Sequence, residues 1–89
     1  MKIVDGFVLR KIMDRWMVVP TGSAMSRASG MLSLNESSAL LWEALGESRD
    51  EDSLVELLCE HYLIDRETAQ SDVKKFLQRL EELGALCHE

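Results

Sequence analysis

Read as apolar and polar positions, the chain changes period once. Before Asn35 the apolar residues come in short runs and alternations; after it they recur three and four residues apart. Phe7-Val8-Leu9 and Arg15-Trp16-Met17-Val18-Val19 are β-branched and aromatic runs of strand length. Asp14 lies between them, which predicts a tight hairpin near Met13–Arg15 and strands over about 6–13 and 15–20. Pro20 ends the second strand, because it has no amide to give a ladder. TGSAMSRASG, residues 21–30, is rich in small polar residues and glycine and is the longest loop of the reading. Met31-Leu32-Ser33-Leu34 then alternates, with Leu32 and Leu34 on one face and Met31 and Ser33 on the other. That predicts a third strand over about 30–34.

Asn35 is a good N-cap, and it opens a helix over about 36–46. Ala39, Leu41, Trp42 and Leu45 form its apolar stripe, Leu34 and Ala39 suit a hydrophobic staple, and Gly46 stops it. Asp50 opens a second helix over about 51–63, with Leu54, Leu57, Leu58 and Tyr62 on one side. Asp65 opens a third over about 66–83, with Ala69, Val73, Phe76, Leu77, Leu80 and Leu83 on one face. Gly84 follows as its terminator, leaving Ala85-Leu86 as a short extension. Three strands followed by three helices predict an α+β fold, helices packed on a small antiparallel sheet.

Composition narrows this to one domain, 1–89. The 89 residues are 46% hydrophobic and 29% charged, enough for a core and an ordinary surface. One proline and five glycines leave no linker or low-complexity tract. In the N-terminal MKIVDGFVLRKIMDR, charged residues interrupt any continuous apolar signal segment. No stretch approaches the roughly 20 apolar residues of a membrane span. Cys59 and Cys87 are too few for a disulfide scaffold, so the expectation is a cytoplasmic chain with free thiols and no membrane partner.

Charge divides the chain. Residues 1–30 carry five basic and two acidic residues, whereas residues 31–89 carry five basic and fourteen acidic ones. The helical part is therefore the acidic part, the reverse of a basic recognition helix, which argues against nucleic acid.

Candidate chemistry is sparse. Cys59 and His61 are two apart on a helix and point in different directions; Cys87 and His88 fall at the C-terminal end, expected to fray. Neither pair has the spacing of a zinc module, and no oxyanion-hole candidate accompanies either thiol. There is no P-loop or dinucleotide fingerprint. No catalytic residue, metal or cofactor is expected. Trp16 and Trp42 read as core.

Two features are left over. Asp72 stands beside the apolar stripe of the third helix. It suits either an (i, i+3) pair with Lys75 or, with Lys75, Phe76 and Arg79, a polar–apolar strip open to a partner. The Met31–Leu34 strand has no charge and no proline, the usual guards of a sheet edge. An unguarded edge is a template for an added strand, whether a peptide or a second copy of the chain.

These residues also carry a resemblance. GFVLR, WMVVP, GMLSLNESSALLWEAL and LVELLCEHYLIDRETAQSDVKKFLQRLEELGAL, in that order, resemble the PqqD-like family, the recognition element for ribosomally made, modified peptides. The match is most specific at the Leu34-Asn35 joint with Trp42, and in the run from Asp72 to Leu86. The resemblance implies a winged-helix-like fold, a three-stranded antiparallel sheet followed by a three-helix bundle, with no catalysis of its own. It further implies that a precursor's leader segment adds to the third strand and is presented to a modifying enzyme, in many systems a radical SAM protein. The groove would have Met31, Leu32, Ser33 and Leu34 on one wall and Asp72, Lys75, Phe76 and Arg79 on the other. The TGSAMSRASG loop departs from members serving pyrroloquinoline quinone biosynthesis and favours another peptide product. The competing reading is a winged-helix nucleic-acid-binding regulator, which such a fold would permit and the acidic helices oppose.

Overall fold

The computed structural model describes residues 1–26 and 30–88. Its elements are β1 (Lys2–Ile3), β2 (Phe7–Ile12), β3 (Arg15–Pro20), a 3₁₀ turn (Gly22–Ser26), β4 (Leu32–Leu34), α1 (Glu36–Ala44), α2 (Glu51–Tyr62), α3 (Arg66–Leu83) and β5 (Leu86–Cys87). β2, β3 and β4 form an antiparallel sheet in that order, so the expected α+β architecture of three strands and then three helices is present.

The hairpin between β2 and β3 sets the orientation of everything beyond it. Ile12 pairs with Arg15 across a two-residue loop whose residues, Met13 and Asp14, both have positive φ. That is the turn whose twist matches flanking strands, although Met13 supplies it without the usual Asn or Gly. In such a hairpin the flanking pair exchanges both backbone bonds, and bonded and non-bonded pairs then alternate. Ile12/Arg15, Arg10/Met17 and Val8/Val19 are bonded pairs, while Lys11/Trp16, Leu9/Val18 and Phe7/Pro20 are not. Pro20, which lacks an amide, therefore stands where β2 requires none. On its other side β3 turns Trp16 and Val18 toward Leu34 and Leu32 of β4, and Met17/Ser33 is the non-bonded pair. The amide and carbonyl of Ser33 thus face away from the sheet.

The helices begin alike. Asn35, Asp50 and Asp65 each accept from the amide three residues on, at 2.8, 2.8 and 2.7 Å. Each cap gives a partner to an amide that the first turn of its helix leaves without one. α3 ends at Gly84, whose φ of 84° costs glycine little. The core runs from Val18 and Leu34 in the sheet through Leu41, Trp42 and Leu45, then Leu54 and Leu58, to Val73, Phe76 and Leu80. Trp42 is 7% and Phe76 2% exposed, as their stripes predict, whereas Trp16 is only half-buried.

Three sequence expectations are corrected. Gly84 does not lead to a short extension and a frayed end: Leu86 and Cys87 form β5, which pairs with β1 through Lys2↔Cys87 and Ile3↔Leu86. Ile3 and Leu86 are half-buried against the core, and two-residue strands are too short to show a period in sequence. The loop before the third strand contains a 3₁₀ turn, held by Thr21, which donates its amide and hydroxyl to Gly6 O at 2.6 and 2.9 Å. The rest of that loop, residues 27–29, lies outside the described residues. Finally, β4 begins at Leu32: Met31 precedes it and is 63% exposed.

Candidate functional site

β4 is the shorter of the two edges of its sheet. Leu32 and Leu34 turn inward, half-buried and buried, and only Ser33 presents its backbone to the open side. The Arg79 guanidinium, from α3, reaches across that side and donates to Ser33 O at 2.9 Å. This bond agrees with the register, since a carbonyl turned toward β3 would be beyond its reach.

α3 runs along the edge in the direction opposite to β4. Arg79 stands at Ser33, and a small cavity of about 180 Å³ continues from there, lined by Asn35, Ser37, Ser38, Asp72, Lys75, Phe76 and Arg79. Four predicted residues, Asp72, Lys75, Phe76 and Arg79, therefore do line one recess. Phe76 belongs to the core and offers little free surface. The three charged residues are exposed, and among the described residues no ion pair joins Asp72 to Lys75.

Sequence reasoning missed the other half of the recess. Asn35, Ser37 and Asp72 also border a neighbouring, more apolar cleft of about 470 Å³, completed by Glu36, Leu58, Tyr62 and Ile64. A signal was available. Tyr62 ends the apolar stripe of α2, and Ile64 continues it past the exposed, left-handed Leu63 at φ 50°. Tyr62 is 41% exposed, so the stripe runs out of the core and into this cleft.

One titratable group is displaced from its usual range. Hydrogen bonds from Thr68, its hydroxyl first and then its amide, hold the Asp65 carboxyl below the ordinary aspartate value. Cys59 and Cys87 are half-buried free thiols, and His88 contacts Glu81. Among the described residues no three His, Cys, Asp or Glu side chains gather as metal ligands would, and no helix is long and apolar enough to cross a membrane. A separate cavity of about 670 Å³, bordered by Ser48, Glu81 and His88 among others, shares no lining residue with the β4 recess.

Comparison with known proteins gives the chain a context. TbiB1, solved in complex with the TbiA(beta) leader peptide, superimposes with a TM-score of 0.72 at 25% identity, covering 100% of this chain and 99% of that one. A lasso peptide synthetase B1, complexed with the leader peptide, gives a TM-score of 0.74 at 16% identity over 98% and 96% of the two chains, a likeness of fold alone. No curated protein matches. The family model for coenzyme PQQ synthesis protein D (PqqD) matches residues 15–86, from the first residue of β3 to the first of β5. The chain belongs to the PqqD family.

Proposed function

We propose that this protein is a non-catalytic binding module that takes up the leader segment of a ribosomally made precursor peptide by strand addition at β4. It then presents the precursor to a modifying enzyme, a radical SAM protein, in the cytoplasm. The observation that carries the reading is the open edge itself: an uncharged strand whose one outward backbone unit, at Ser33, lies beside a recess lined by α3. Main-chain bonds at such an edge supply affinity, and the recesses beside it supply selectivity. Membership of the PqqD family and the likeness to TbiB1, which was solved with a leader peptide, support it. The exposed face of α3 mixes Arg66, Lys74, Lys75 and Arg79 with Glu67, Asp72, Glu81 and Glu82, a poor surface for phosphates.

The test is titration of ¹⁵N-labelled protein with synthetic peptides tiled over the short reading frames that neighbour its gene. One peptide should saturate, with amide shifts centred on residues 31–35 and 72–79. Saturable binding that leaves those amides unmoved, or no binding by any tile, overturns the reading.

A further inference from the structure

The bond from Arg79 to Ser33 places a charge where an added strand has to pass. A nitrogen 2.9 Å from an outward carbonyl oxygen stands at the distance an incoming strand's own amide nitrogen would take. Binding therefore exchanges one donor for another at Ser33 and sets the guanidinium free. A released cation beside a peptide is best compensated by a carboxylate on that peptide, because charge-assisted bonds exceed neutral ones. An occupant with no acidic side chain there leaves Arg79 without the partner it held.

The rest of the recess is charged in order. Arg79 lies at Ser33, whereas Asp72 and Glu36 border the end near Asn35, with Lys75 between Asp72 and Arg79 along α3. Asp72 and Arg79 are seven residues apart on α3, about 10 Å at 1.5 Å per residue. Side chains on one face of a strand recur about every 7 Å, so those two residues apart fall about 3 Å short of that separation and those four apart exceed it by about as much, a difference that long side chains can take up. Every pair in this sheet is antiparallel. A strand added the same way to β4 runs parallel to α3, its N-terminal part at Asp72 and its C-terminal part at Arg79.

We propose that the recess reads the charge order of its occupant: a basic side chain first and, toward the C-terminal end of the bound segment, an acidic one that takes over Arg79 from Ser33. The inference rests on the strand-addition reading and names the class of peptide that the site prefers. Arg79 acts as the residue that sets this specificity. Because the charges are exposed, the preference is modest, about tenfold between a peptide in this order and its charge-reversed counterpart at low salt, and it shrinks as salt is added.

The probe is a displayed library of random peptides, selected on the folded protein and on the double variant Asp72→Arg, Arg79→Asp. Both positions are exposed, so the variant retains its core. Enriched sequences and their charge-reversed versions are then titrated calorimetrically into both proteins. The proposal expects a basic residue N-terminal to an acidic one on the wild type and the opposite order on the variant. Groove binders without charge order, or with an order the variant does not invert, overturn the proposal and leave strand addition standing. A library that yields no binder sensitive to Ser33→Pro overturns both.

Discussion

The two edges of the three-stranded sheet are guarded in different ways. β2 protects itself: it carries Arg10 and Lys11 in the strand, and the Lys11 ammonium lies 5.5 Å from the centre of the Trp16 ring. Charge built into a strand cannot leave without unfolding it, so that edge is closed to other chains permanently. β4 has no charge of its own and is covered by one long side chain from another element, Arg79. A guard borrowed from a neighbouring helix is removable by rotamer changes alone. The contrast separates an edge that resists pairing from an edge that postpones it.

Three changes sharpen the contrast, beginning with the core on which both edges depend. Truncating Trp42 or Phe76 to Ala should cost about 3–5 kcal/mol, a large part of the roughly 5–15 kcal/mol available to a small domain. Denaturant unfolding measures this, and a loss below about 1 kcal/mol would mean that the sheet does not rest on α1 and α3 as described.

A matched pair of prolines comes next. Ser33 on β4 and Lys11 on β2 both turn their amides outward by register, so proline removes no ladder bond at either. Both variants should fold, as circular dichroism would show. Ser33→Pro should weaken peptide binding about tenfold or more, since one main-chain bond is lost and the ring blocks approach. Lys11→Pro should leave affinity unchanged. Equal losses at the two sites would erase the distinction between the edges.

The smallest effect lies at the start of α3, which carries the guard. Asp65 has a folded pKa below its unfolded one, so its contribution to stability is present above the ordinary aspartate pKa and fades as pH falls through the lower, folded value. Asp65→Asn keeps a capping oxygen but cannot titrate. Its thermal stability should therefore fall less steeply than that of the wild type below about pH 4. Parallel acid curves would show that the cap does not couple to pH.

Much of this was legible in the sequence. Helical spacing located α3 to the residue, and three Asx caps marked where each helix starts. Alternation in Leu32-Ser33-Leu34 correctly assigned which side chains face the core. What escaped was decided by contacts distant in sequence. Nothing near Ser33 announces that a guanidinium 46 residues later will cover it. The apolar residues Tyr62 and Ile64 hinted at the cleft they border, but the left-handed backbone at Leu63 that turns the stripe there is not marked by residue type. Met31 shares the alternation yet lies outside the strand, since alternation records the face a side chain takes and not where a ladder begins.

The pairing of β1 with β5 carries a consequence in time. It joins residues 85 positions apart, Lys2 to Cys87, through two residue pairs, and beside them the Val4 amide donates to Ala85 O at 2.8 Å. Closing so long a loop costs entropy before any contact repays it, and two pairs alone do not repay it. The two ends therefore meet only after sheet and helices have built the surface on which Ile3 and Leu86 rest. The clasp forms late and opens early. Its amides should exchange with solvent before those of β3 or α3, making the meeting of the two ends the seam at which this fold first comes apart.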